Sequence, residues 1–395
     1  MKSKVLAGLF ILISLAIGCV TEFNAKLPSG DEQILIVDGN IMEDTTVIIQ
    51  LSKSYSMDSS YIPPEIFNID AQVTLVGSNG YESSPATSLG KGKYALTTGT
   101  LDDNTEYGVK IIYNGDTYQS ALSKPLSTPE IDSISWGQSE KYGPVSIYVS
   151  THDNDMKDAK FFLWDYVEDW EFSEPYLTTI FLDPKTNSFY QDNSAPYFYC
   201  WRHHVSNEFL TGSTETLREN RIINKQLYQL DPSIDNRLSL LYCVTMNQKA
   251  ISKSAYDYYE NKIKLNEEMG GLFSPQPSDI DGNITCITDP SKRVMGYIEV
   301  TKNVTHKRMF IYSGQITRPP LNDECYSLSN DSVLTLLKKM NGTYADFYNL
   351  GYRPAGEPAP PSMEIPAEWA IASCTDCTQN AGSKNKPDFW PNSDN

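Results

Sequence analysis

Histidine is scarce in this chain, four in 395 residues, which leaves few side chains suited to general-base work near neutral pH. There is no HExxH, no phosphate-binding P-loop, no GxSxG elbow and no complete GxGxxG. Zinc-protease, nucleotide and serine-hydrolase chemistry therefore have no signature to rest on, and no cofactor is expected. Positive charge is also short. Lys and Arg number 32 against 50 acids, a net charge of −18, and such a surface repels a phosphate backbone, so nucleic acid is not expected as a partner. Beyond the first 18 residues no apolar run approaches the roughly 20 residues that span a bilayer. No repeat of solenoid or propeller period is apparent.

What the chain has in quantity is 23 Gly, 23 Pro, 25 Tyr and 14 Phe, with many segments that alternate apolar and polar residues. This composition favours β-structure. The length predicts two domains plus tails.

Strands are predicted at 33–38, 45–53, 71–76, 93–97, 107–113 and 117–123, separated by turns such as Asn79-Gly80 and Asn114-Gly115-Asp116. Together they predict an immunoglobulin/fibronectin-like β-sandwich over 31–128, with Tyr107 as a tyrosine corner. A proline hinge near 129 opens a larger β-rich domain over 129–350. Its clearest strand is 237–247, where Leu238, Leu240, Tyr242, Val244 and Met246 share a face. The period then changes to 3.6, and a helix is expected over 254–269 with Ser254 as its cap and Gly270-Gly271 as its stop. Phe273-Ser-Pro-Gln-Pro277 reads as stiff and extended, and Asp281-Gly282-Asn283 as a turn. Strands 293–301 and 306–312 are expected to form a hairpin across Asn303, and 331–340 a short helix capped by Asn330 or Asp331. Residues 351–395 read as a Pro/Gly-rich tail, pinned to the second domain by disulfide and aromatic contacts.

The chain opens with Lys2 and Lys4, an apolar run from Val5 to Ile17, and Ala16-Ile17-Gly18-Cys19. These residues resemble a bacterial lipobox, which implies a signal peptide over 1–18, cleavage before Cys19, lipidation of its thiol and a tether over 19–30. Loss of the two lysines takes the net charge from −18 to −20. Val20 stands where inner-membrane retention would place Asp, so the expected address is the outer membrane, with the protein held at the cell surface by acyl chains.

The remaining cysteines, Cys200, Cys243, Cys286, Cys325, Cys374 and Cys377, are even in number, and in an exported chain disulfides are the default. Cys374-x-x-Cys377 is read as structural, with Cys325 bridged to one of the two; half a zinc site and a redox pair are the alternatives. Cys200-Trp-Arg-His203-His204 brings a thiol and two imidazoles together, but neighbours on a strand face opposite ways, so no shared metal is expected. His152-Asp153-Asn-Asp155-Met-Lys-Asp158 lacks the glycine and glutamate of a calcium loop and reads as a solvated turn. Asp165, Glu168, Asp169 and Glu171 are candidate hydrolase carboxylates. Glycoside hydrolysis needs two carboxylates roughly 5–10 Å apart, and spacing along a chain does not establish that. Trp164, Tyr166, Trp170 and Tyr176 are expected to form a ligand-contacting surface, with Tyr197 and Tyr199 nearby.

The ordered set GGLFSPQPSDIDGNITC, Arg293-Val-Met-Gly-Tyr297, Trp369, Cys374-Thr-Asp-Cys377 and Lys386-Pro-Asp-Phe-Trp390 resembles the lipoproteins of Bacteroidota grouped as domain-of-unknown-function family 4249. The resemblance runs from the lipobox to the C-terminal Phe-Trp. It implies an outer-membrane lipoprotein, often encoded beside a TonB-dependent nutrient receptor, and it carries no catalytic residue. The expected function is therefore a non-enzymatic accessory or ligand-binding partner of such a receptor. A cell-surface glycan or peptide hydrolase and a structural or adhesive envelope protein are the other readings.

Overall fold

The computed structural model describes residues 34–54, 64–153, 159–194, 196–268, 282–320, 325–358 and 365–391. The leader, Cys19 and its tether, Gly270-Gly271 and the Phe273–Pro277 segment lie outside the described residues.

The molecule is mostly β. A sandwich forms first, because alternating residues of its strands have one face to bury. In Thr46–Lys53 the buried positions are Val47, Ile49 and Leu51, with exposed or half-buried residues between them. One sheet runs in the order Val294–Thr301, Leu35–Met42, Thr46–Lys53, Lys93–Thr97, Thr87–Gly90, and the other in the order Ile284–Cys286, Asp116–Ser120, Tyr107–Tyr113, Ala71–Gly77. Val37, Ile49, Val73, Val109, Ile298 and Val300 fill the space between them. Tyr107 makes the corner, its hydroxyl accepting the Asp102 N–H at 2.9 Å.

Two of these strands come from late in the chain, so a boundary at 128 does not enclose the sandwich. Val294–Thr301 pairs in parallel with Leu35–Met42, and Ile284–Cys286 pairs antiparallel with Asp116–Ser120. This corrects the expected hairpin across Asn303: Thr305–Tyr312 pairs instead with Leu241–Ile251 in the second body. The reason lies in the side chain of Asn303. It accepts from the Thr128 N–H at 2.9 Å and donates to the Thr128 carbonyl at 3.0 Å, tying the two crossings between the bodies together where a hairpin turn was expected.

The second body is built around a 13-residue strand, Phe161–Ser173, with Leu241–Ile251 on one side and Tyr199–Val205 and Leu210–Ser213 on the other. Its even-numbered face packs on the sheet of Ile131–Gln138, Val145–His152 and Arg221–Leu230 through Phe162, Trp164, Val145, Ile147, Tyr242 and Met246. The strand read over 237–247 begins at Leu241, because Asn236–Leu238 is a 3-10 turn capped by Asp235. On the odd-numbered face Phe161 and Leu163 meet Ala255 of the helix Lys253–Glu268. That helix is capped by Ser252, whose Oγ accepts the Ala255 N–H at 3.2 Å. The expected cap, Ser254, bonds the Tyr297 hydroxyl at 2.7 Å instead.

The C-terminal segment forms a three-stranded sheet of Leu328–Ser329, Pro366–Ile371 and Tyr352–Pro358. Val333, Leu337 and Phe347, from the helices Asn330–Met340 and Tyr344–Asn349, surround Trp369 beside it. The first of these helices is capped by Ser329, ahead of the expected Asn330 or Asp331. The chain end is tied to the central body, where Trp390 Nε1 donates to Glu171 at 3.0 Å and Ser383 exchanges backbone bonds with Trp201.

Candidate functional site

The expected ligand surface does not form. Trp164, Tyr166 and Trp170 face the sheet across the core and are at most 8% exposed. Trp164 Nε1 donates to Gln248 at 2.8 Å, and the Tyr166 hydroxyl donates to Glu208 at 2.9 Å. Tyr176 is half-buried beside Ala355 and Ala370, its hydroxyl directed to the Cys325 carbonyl. Aromatics on a strand contact ligand only where one face is open; at Trp164 and Tyr166 both faces are covered, while Trp170 borders a shallow pocket with His204, Asp235 and Arg237. Tyr199 is exposed, and the Lys384 ammonium stands 4.5 Å over the Tyr197 ring.

The four carboxylates are divided by the same alternation. Asp165 meets Asn247 and Lys249, and Asp169 meets His203 at 2.8 Å. Glu171 accepts from Trp390 on that same odd-numbered face. Glu168 points the other way and is fully buried, receiving both oxygens' worth of Arg237 at 2.7 and 2.8 Å, the Tyr242 hydroxyl at 2.6 Å and His204 at 3.1 Å. Burial raises the Tyr242 and Tyr228 hydroxyls well above the ordinary tyrosine range, so both stay protonated and able to donate. His203 and His204 stand directly across from Asp169 and Glu168, one on each face.

His152 lies 2.6 Å from Asp132. Asp155 and Asp158 of the same turn lie outside the described residues. No group of three or more His, Cys, Asp or Glu side chains placed to hold a metal occurs among the described residues.

The cysteines divide as well. Cys200 bonds Cys377 and Cys325 bonds Cys374, so the Cys-x-x-Cys pair is shared between two bridges. This leaves neither a dithiol for redox exchange nor thiolates for zinc. Cys243 and Cys286 correct the expectation that all six pair, because they are buried free thiols on sheets of different bodies. Burial pushes the Cys243 thiol up to about 12.

What the two bridges frame is a cavity of about 880 Å³ at the end of the central strand. Phe172, Ser173, Glu174 and Pro175 supply one wall, and Asn236, Ser239 and Leu240 another. Arg202, Arg318, Pro319, Pro320 and Tyr142 complete it with Cys325, Ser373 and Asn380. Arg202 follows Cys200 by two residues and lies over the Phe172 ring at 5.1 Å. Arg318 is placed by Thr317, whose N–H and hydroxyl both donate to Gln138 Oε1 at 2.8 and 2.9 Å. Gln138 in turn donates to the Gly143 carbonyl at 2.8 Å, so the loop carrying Tyr142 and the segment carrying Arg318 are bonded into one rim. Tyr142 has φ 65°, left-handed backbone rare for a bulky residue. Its N–H donates to Thr317 Oγ1 at 3.0 Å, which holds that conformation. Sequence reasoning passed over Arg202, Ser239 and Arg318. The only local signal was a cation fixed ahead of Pro319-Pro320.

The family described as Domain of unknown function (DUF4249) matches residues 20–307. The chain belongs to the DUF4249 family. The matched span holds the whole sandwich, its late strands included, and the cavity wall from Phe172 to Leu240. It ends before Arg318, Cys325 and the segment from Trp369 to Trp390, so the far wall of the cavity lies beyond the DUF4249 match. No curated protein matches the chain. Among solved structures, a segment of two fibronectin type-III domains from chicken tenascin aligns over 70% of this chain and 97% of its own, at 11% identity and a TM-score of 0.17. No helix among the described residues is long and apolar enough to cross a membrane.

Proposed function

We propose that the protein is a non-enzymatic lipoprotein of a Bacteroidota outer membrane, anchored through Cys19, that binds a small molecule in the disulfide-framed cavity and works beside a TonB-dependent nutrient receptor. The observation that carries the binding reading is the cavity itself. At about 880 Å³ it has the size of a small-molecule site, and its walls set aromatic and proline surface beside a larger number of polar and charged groups. Its lining residues include no histidine, and its cysteine is in a disulfide. These groups suit holding better than turnover. Against the hydrolase alternative, Glu168 faces away from Asp165, Asp169 and Glu171, and each of the four is bonded to a structural partner. Anchoring is supported by the lipobox at Ala16–Cys19.

The test is affinity purification of the full chain from native membranes in mild detergent, together with palmitate labelling. The expected result is a TonB-dependent receptor in near-equal amount, and acyl label that is lost in Cys19→Ala. A chain that carries no acyl label, or that purifies without any receptor, contradicts the corresponding half of the proposal.

A further inference from the structure

Seven buried side-chain polar atoms among the described residues lack a hydrogen-bond partner, and three of them, Arg202 Nε, Arg318 Nη1 and Ser239 Oγ, belong to residues lining the one cavity. A guanidinium only donates, and a hydroxyl donates readily. A buried donor without an acceptor costs about 1–3 kcal/mol. Three of the unmet donors thus belong to residues that line one cavity. Among the described residues of the lining there are two guanidiniums and one carboxylate, Glu174, which accepts from Asn380 Nδ2 at 3.0 Å.

We propose that the cavity takes a small organic molecule through an oxyanion group, a carboxylate or a phosphate, held by Arg202 and Arg318 with Ser239 as a third donor. The proposal rests on the reading of the cavity as a binding site and adds the chemistry of what it binds. Guanidinium forks match the two oxygens of a carboxylate or phosphate, and charge-assisted bonds of this kind are about twice as strong as neutral ones. Both cations are held in place beforehand. Arg202 is positioned by the Cys200–Cys377 bridge and the Phe172 ring, and Arg318 by the Gln138–Thr317 bonds and by Pro319-Pro320. A pre-positioned clamp loses little entropy on binding. Phe172, Pro175, Leu240, Pro319 and Tyr142 give an organic body apolar and aromatic surface to lie against, which a bare ion would not use.

Calorimetric titration of the full chain, purified in mild detergent, tests this with three probes: citrate, inorganic phosphate and the neutral sugar maltose. Citrate is expected to bind more tightly than phosphate, and maltose not at all. Either Arg202→Gln or Arg318→Gln weakens citrate about 10-fold or more, while Arg202→Lys and Arg318→Lys, which keep the charge without the fork, fall between. Arg221→Gln, remote from the cavity, leaves binding unchanged, and thermal unfolding of each variant confirms that it folds. Citrate and phosphate that fail to bind, or that bind equally to the Gln variants, overturn the oxyanion assignment. In that event maltose binding abolished by Leu240→Trp, which fills the cavity, would leave the binding reading standing. Silence of all three probes would count against both.

Discussion

Gly282 lies against the backbone of Gly296 so closely that a Cβ on Gly282 would stand 1.7 Å from the Gly296 carbonyl oxygen. Gly296 itself, at φ 130°, would place a Cβ 1.9 Å from the Val37 carbonyl oxygen. Between them the Asn283 side chain accepts the Ile298 N–H at 2.9 Å and donates to the Ile298 carbonyl at 2.8 Å, as a neighbouring strand would. The late strands thus join the sandwich through three backbones in contact. Gly282→Ala and Gly296→Ala are expected to cost about 3 kcal/mol or more each, seen in denaturant unfolding, because backbone cannot move aside as a side-chain tip can. A loss under about 1 kcal/mol would show that this contact is looser than described.

The Glu168–Arg237 pair gives a second prediction. Arg237→Met leaves a buried carboxylate with only Tyr242 and His204, and about 3–5 kcal/mol of stability is expected to go. Glu168→Leu combined with Arg237→Met removes the buried pair, leaving Asp235 at the edge of the cluster without its guanidinium, and is expected to recover part of that loss. A double variant no more stable than Arg237→Met would contradict the account of this cluster.

Much of the fold was legible in the sequence and some of it was not, for a common reason. The run Val47, Ile49, Leu51 announces a strand and its inward face, and Leu101–Tyr107 announces the corner. Nothing in Arg293-Val-Met-Gly-Tyr297 says that its partner is Leu35–Met42, because alternation specifies a face and not a neighbour. For the same reason Trp164, Tyr166 and Trp170 suggested a binding surface: a strand buried on both faces reads like one half-exposed. Arg202 carries no local pattern and Arg318 only its place ahead of Pro319-Pro320, and it is the chain's return through two disulfides that makes them neighbours of one cavity.

Glu299 predicts the pH dependence of stability. It is buried in the sandwich strand Val294–Thr301 with one oxygen unpartnered, and burial pushes its carboxyl up to about 7 from an ordinary 4.5. Between those values the folded chain binds more protons than the unfolded one. The contribution from Glu299 is therefore complete below about pH 4.5 and is lost as pH rises to about 7, roughly 3 kcal/mol in all. Stability measured across that range should change less with pH in Glu299→Gln. An unchanged pH profile in the variant would remove Glu299 as the cause.

The cysteines give a count. In the native protein neither Cys243 nor Cys286 is expected to react with Ellman's reagent, since both are buried and the Cys243 thiol is held far from ionisation. In denaturant without reductant both react, and reduction releases four more from the two bridges. Replacing Cys325 and Cys374 together by Ser is expected to cost about 2–4 kcal/mol. In a Cys19→Ala chain, where Cys243 and Cys286 are the two thiols left outside the bridges, any native reaction within minutes would contradict the burial of these two side chains.

The central claim is that the cavity framed by Cys200–Cys377 and Cys325–Cys374 holds a small molecule, and native mass spectrometry of the chain isolated from its own membranes tests it most directly. The expected spectrum shows a non-covalent adduct of a few hundred daltons that is released on denaturation and missing from Arg202→Gln and Arg318→Gln. A chain of unadorned mass, or an adduct that both variants retain, would contradict the claim.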